Sequence, residues 1–158
     1  MIKKYGSICM GLVLLMSCDT TRIYEDFEEI PQGWSLVDTI RFDVAYNPAT
    51  AGLIDLTTQF RCAITYPYSN LYYYLIITDS RDSALLSKLE EVQFFDAKTG
   101  KPLGDGLGDL YHREDLVVTG LSLPTSDTLT VSMIQYMRLD TLRGIDRVGL
   151  RVNTQVED

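Results

Sequence analysis

Apolar positions along most of this chain recur at every second residue. Ile40, Phe42 and Val44 alternate with Arg41 and Asp43, and Leu129, Val131 and Met133 alternate with Thr128, Thr130 and Ser132. From about Leu53 to Tyr66, Leu56, Thr58, Phe60, Cys62 and Ile64 share one face, and Val148, Leu150 and Val152 close the series. A period of two is the signature of a pleated strand with one face covered. Leu71 to Thr78 is apolar or aromatic at nearly every position, as in a strand covered on both faces or one whose aromatic face meets a partner. In that strand Tyr72 and Tyr74 project to one side, and Tyr73 projects with Leu71 and Leu75 to the other. Shorter strands are expected at Val92–Asp96 and Leu116–Leu123. Asn47-Pro48, the run Tyr66 to Asn70, Lys98 to Pro102 and Pro124 to Asp127 read as turns. Asp79 to Glu91 has no clear period and is expected to be a loop. Seven to eight short strands and no convincing helix predict an all-β domain, an antiparallel β-sandwich of jelly-roll-like form over residues 33–154, with 155–158 as a tail.

The N-terminus breaks this pattern. Lys3 and Lys4 precede an apolar run, Ile8 to Met16, that is too short to span a bilayer as a helix, the order of a secretory signal peptide over residues 1–17. Leu15-Met16-Ser17-Cys18 resembles the bacterial lipobox, which implies that Cys18 is diacylated and becomes the first mature residue. Acyl chains there would hold the protein on a membrane without crossing it. Residues 18–32, rich in Glu25, Asp26, Glu28 and Glu29, are expected to form an acidic tether.

Composition sharpens the picture. The 158 residues carry 14 Lys plus Arg against 22 Asp plus Glu, and loss of Lys3 and Lys4 with the signal takes the formal charge from −8 to −10. Such an acidic chain without a basic cluster lacks the footprint that nucleic-acid phosphates require. With Cys9 in the signal and Cys18 acylated, Cys62 is left alone, so no intramolecular disulfide forms and Cys62 is expected to pack as a small hydrophobe.

Three groupings hold candidate chemistry. Gly104-Asp105-Gly106-Leu107-Gly108-Asp109 offers two carboxylates and permissive backbone, yet it lacks EF-hand spacing, and the following Lys and helix of a phosphate cradle; it reads as a kinked loop, with no metal or cofactor expected. Asp109, Tyr111, His112, Glu114 and Asp115 are dense in acid–base groups, but no nucleophile neighbours His112, the single histidine, and no enzymatic activity is expected. The tyrosines are the third grouping. Tyr66, Tyr68, Tyr72, Tyr73 and Tyr74 fall within nine positions, and tyrosine suits both protein interfaces and stacking on sugars.

Tyr66-Pro67-Tyr68-Ser69-Asn70-Leu71-Tyr72, the Gly104 to Tyr111 loop, Gln135-Tyr136-Met137-Arg138 and Leu142 to Arg151 together resemble the gliding-motility lipoprotein GldH family of Bacteroidota. Trp34, the Tyr24-Glu25 pair and the lipobox fall where that family has them. The resemblance implies a non-catalytic, lipid-anchored envelope protein, accessory to the gliding machinery and its associated surface-protein secretion, with other envelope proteins as partners. It supplies no catalytic residues and leaves the membrane and leaflet open. The interaction surface expected from the residues comprises Tyr66, Tyr68, Asn70, Tyr72, Tyr74, Asp105, Asp109, Tyr111, His112 and Arg138. The alternative reading is a carbohydrate-binding sandwich, which would present a coplanar set of exposed tyrosine rings.

Overall fold

The computed structural model describes residues 20–47 and 52–155, so the signal segment and Cys18 lie outside the described residues. The fold is an antiparallel β-sandwich. Its strands are β1 (Arg22–Glu29), β2 (Trp34–Ser35), β3 (Ile40–Ala45), β4 (Leu53–Ala63), β5 (Asn70–Asp79), β6 (Ala84–Gln93), β7 (Asp105–Leu107), β8 (Leu110–Ser122), β9 (Thr128–Gln135), β10 (Thr141–Leu142) and β11 (Ile145–Thr154). One sheet has the order β1-β11-β4-β8-β7, the other β3-β9-β5-β6, and β10 pairs with β2 as a separate ribbon.

The alternation seen in the sequence decides what fills the space between the sheets. Leu56, Thr58, Phe60 and Cys62 of β4 face Leu71, Tyr73, Leu75 and Ile77 of β5, all buried. Phe60 meets Tyr73 and Phe94 edge to face at centroid distances of 5.2 and 5.8 Å. The polar tip of Tyr73 is satisfied by Thr58, whose hydroxyl lies 2.8 Å from its own, which is what lets a tyrosine sit in the core at all. Cys62 is a free, buried thiol whose pKa burial pushes up to about 11, as suits a packing residue.

Two expectations are corrected. The acidic run read as a tether is mostly strand: Arg22–Glu29 forms β1, an edge strand paired with β11. Its charges looked self-repelling because the arginines opposite them in the ladder, Arg147 and Arg151, lie more than a hundred residues away. Glu25 stands opposite Arg151 and Glu29 opposite Arg147 across the ladder, and Arg147 donates to Glu29 at 2.6 Å. The folded domain therefore begins at β1 and not at residue 33. The stretch read as a loop, Asp79 to Glu91, contains most of β6, in register with β5 from Asn70↔Gln93 to Thr78↔Ala84. Its Ala, Leu, Lys and Glu hide the strand because β6 is an edge, where charged side chains protect an open ladder.

The strands give the sandwich two distinct ends. Both described termini meet at one of them, the near end, where Thr154 N donates to Thr21 O at 2.8 Å; the β5–β6 and β8–β9 connections lie there too. The β1–β3, β4–β5, β6–β8 and β9–β11 connections gather at the opposite, far end.

Candidate functional site

The far end collects the side chains that the core does not need. Eleven large apolar residues are exposed among those described, and seven of them, Leu36, Val37, Ile64, Tyr68, Leu103, Leu110 and Tyr136, belong to the far end. An exposed leucine alone means nothing; this clustering at one end of the molecule is the informative feature.

The β4–β5 connection and the β7–β8 hairpin lie side by side there. Ile64 N donates to Asp109 O at 2.8 Å, and the Tyr111 ring sits 6.4 Å from that of Phe95. Tyr68, 38% exposed, packs edge-on against Tyr66, with centroids 5.7 Å apart. Tyr66 itself is only 5% exposed, and its hydroxyl donates to Asn70 O at 2.9 Å. It therefore holds the turn and is not part of an accessible surface, against the sequence expectation. Asn70 is half-buried and donates to Glu91 at 2.7 Å, tying the start of β5 to the edge strand.

Tyr72 and Tyr74 leave the end and run up the outer face of the four-stranded sheet, both half-buried, as alternation requires. Tyr74 meets exposed Tyr136 with centroids 4.9 Å apart, and a hydrogen bond to Glu91 holds the Tyr72 hydroxyl above its usual pKa. Tyr136 was not among the residues expected on the surface. It is placed by Gln135, which is fully buried: its amide donates to Leu139 O at 2.8 Å and accepts from Met137 N at 2.8 Å. That clamp folds the Tyr136–Leu139 turn, puts Arg138 at φ 58° on the surface, and brings Met137 Sδ to 3.2 Å from Tyr72 N. The glutamine's role arises from its own chain neighbours, a local signal that the alternating pattern conceals.

The glycine-rich segment forms the β7–β8 hairpin. Of its three glycines only Gly108 has positive φ, 66°. Gly106 is needed for close approach instead: a Cβ there would lie 2.4 Å from the Tyr111 ring. Asp105 and Asp109 are exposed, and among the described residues no group of three or more His, Cys, Asp or Glu could hold a metal ion. Beside the hairpin is a cleft of about 360 Å³ lined by Arg61, Asp105, Gly106, Leu110, Tyr111 and His112.

His112 belongs to a polar network on the outer face of the five-stranded sheet. Its Nε2 lies 3.0 Å from Glu114 Oε1, which also accepts from Gln59 at 2.9 Å and from Arg151 at 3.1 Å; Arg151 makes a second bond to the other carboxylate oxygen. Partial burial disfavours the Glu114 charge, but the hydrogen bonds from Arg151, His112 and Gln59 outweigh it and hold the carboxyl down at about 2. Gln59 also donates to Glu25 at 2.9 Å, linking β1 to the network. Next to it the Phe27 ring lies over Gly149, 6.3 Å from the His112 ring, with the Arg61 guanidinium 5.6 Å from its centroid.

The ten residues expected to form one surface are thus divided. Tyr68, Asp109 and Tyr111 lie at the far end, Tyr111 also lining the cleft with Asp105 and His112; Tyr72, Tyr74 and Arg138 lie around the adjoining sheet face; Tyr66 and Asn70 brace the turn between them.

Among solved structures, the chain is similar to one from infectious bursal disease virus Gt strain, with 12% identity and a TM-score of 0.32 over 94% of this chain and 36% of the viral one. It is also similar to the VP2 subviral particle of that virus, with 11% identity and a TM-score of 0.30 over 96% of this chain and 38% of the other. Among curated proteins it is 25% identical over 157 residues to the gliding motility lipoprotein GldH of Flavobacterium johnsoniae, covering 96% of each chain. The family model for the GldH lipoprotein matches residues 22–152, from the first residue of β1 to within two residues of the end of β11. With the match spanning the whole sandwich, the chain belongs to the GldH lipoprotein family of membrane-anchored cell-envelope proteins.

Proposed function

We propose that this protein is a non-catalytic accessory component of the gliding-motility and associated surface-protein secretion machinery, and that it binds other envelope proteins through the far end of its sandwich. The observation that carries this reading is the asymmetric distribution of exposed apolar side chains, seven of the eleven described at that end. Aromatic and apolar anchors with a polar rim suit a protein interface, and Asp105, Asp109, Arg138 and Asp140 supply such a rim.

The state of His112 supports a non-catalytic role. Its Nε2 is engaged by Glu114, which Arg151 and Gln59 hold as well, so the ring is tied into a network that joins β8 to β11 and β4, as suits a structural role. The ring geometry gives little support to carbohydrate stacking: Tyr66–Tyr68, Tyr74–Tyr136 and Phe95–Tyr111 are inclined at 71–73° and make no flat platform.

The test is a pull-down of the native lipoprotein from detergent-solubilised envelopes, combined with a surface-protein secretion assay, using Val37→Ala, Tyr68→Ala and Tyr136→Ala together. Val37 is almost fully exposed, and the tyrosine truncations remove one edge-on ring contact each, about 0.5–1.5 kcal/mol, so protein level is measured alongside. Loss of co-purifying envelope proteins and reduced secretion at unchanged protein level are expected. Retention of both would overturn the reading.

A further inference from the structure

The incorporation of the acidic run into β1 leaves almost no spacer between the acylation site and the folded domain. Thr21 is already fixed to the sheet: its carbonyl accepts from Thr154 N at 2.8 Å and from Thr154 Oγ1 at 3.2 Å, and its hydroxyl accepts from Asn153 at 2.9 Å. Three Cα–Cα steps of 3.8 Å separate residue 18 from residue 21, a reach of at most about 11 Å. We infer that the domain stands directly on the lipid surface on its near end, so that the far end, with its exposed apolar side chains, projects away from the membrane toward its partners. The inference rests on acylation of Cys18.

Two features select the upright posture over one lying flat. The long β1 edge presents Asp26 and Glu28 in addition to Glu25 and Glu29, whose charges Arg151 and Arg147 offset, a net negative surface that an anionic headgroup layer repels within a Debye length of about 10 Å at 0.1 M salt. Standing on the near end moves those carboxylates progressively outward, because they follow Arg22 along the strand. The near end itself suits an interface. Ile23 and Leu53 are exposed there, on the two strands that flank the end of β11, and can dip among the headgroups beside the acyl chains. The near-end turns carry Arg81 against Asp79, Asp82 and Asp127, a net charge of −2, against which the short acylated link and the apolar Ile23 and Leu53 hold this end to the surface. The eleven residues of β4, at about 3.3 Å each, place the far end about 36 Å from the near end.

The acylated full-length protein, reconstituted in phosphatidylethanolamine/phosphatidylglycerol vesicles doped with headgroup-quencher lipid, tests this. Fluorophores are placed at Ser80→Cys and Asp127→Cys (near end), Lys98→Cys (far end) and Ser87→Cys (beside the tyrosine face), Cys62 being buried. Several-fold stronger quenching at Ser80 and Asp127 than at the other two is expected, and a long Gly/Ser spacer inserted between Asp19 and Thr20 should abolish the contrast. Equal quenching at Lys98, strongest quenching at Ser87, or a contrast that survives the spacer would each overturn the inference. The mass of the mature N-terminal peptide reports acylation separately, so an unmodified Cys18 would sink the underlying assumption in a result distinct from a wrong orientation.

Discussion

Gly149 is the residue at which the outer face of the five-stranded sheet admits β1. A methyl group there would lie 2.5 Å from two atoms of the Phe27 ring, so Gly149→Ala must displace the ring or the strand. A destabilisation of about 1–3 kcal/mol in urea unfolding is expected, and the double variant with Phe27→Ala should cost less than the two single effects combined, because the clash disappears with the ring. Glu114 acts by charge instead. Its carboxyl ordinarily takes up a proton near 4.5, and in the folded protein only at about 2. Between these values the unfolded chain binds the extra proton, so the stabilisation is complete above the higher value and is lost as pH falls toward the lower. The stability difference between the native protein and Glu114→Gln should therefore shrink from pH 5 to pH 2. A constant difference would assign the cost to packing. At this scale the sequence was readable where alternation operates, as in burial of Leu71, Tyr73 and Leu75 against the half-exposed Tyr72 and Tyr74. It was unreadable for Glu114, whose partners Gln59 and Arg151 come from two other strands.

Two of the misjudged elements, β1 and β6, are edge strands. A third, β8, expected only at Leu116–Leu123, runs over Leu110–Ser122; its first half was hidden because His112 to Asp115 carry the polar outer network and Arg113–Asp115 pair instead of an apolar period. β1 and β6 each have one ladder partner, so a continuous apolar period is unnecessary and charged positions are favoured. β1 is recognisable only through its long-range partners: Phe27 over Gly149, Glu25 on Gln59, and Glu29 on Arg147. Interior strands β4, β9 and β11 carried an alternating signal and β5 a nearly continuous apolar run, which placed them; β3, an edge as well, kept its alternation because Phe42 and Val44 are buried. If β1 is held by this docking, Phe27→Ala should speed amide exchange across Tyr24–Glu28 while leaving the β5 amides protected. Uniform acceleration in both strands would instead make β1 inseparable from global stability.

For the whole molecule, the sequence foretold a lipoprotein carrying a sandwich and placed the tyrosines and the glycine hairpin in play, but it could not foretell how they would be distributed. That distribution depends on which connections share an end, a property of topology that periodicity does not contain. Four of the connections gather opposite the ends of the described chain, and with them most of the exposed apolar side chains among the described residues. The protein thus has an attachment end and a presenting end, separated by the length of its strands. Site-specific photocrosslinking in living cells, with the reactive residue at Val37 or Tyr68 on one end and at Ser80 on the other, examines this division most directly. Crosslinks to envelope proteins from Val37 and Tyr68, and none from Ser80, are predicted; protein crosslinks from Ser80 with none from the far end would contradict the account.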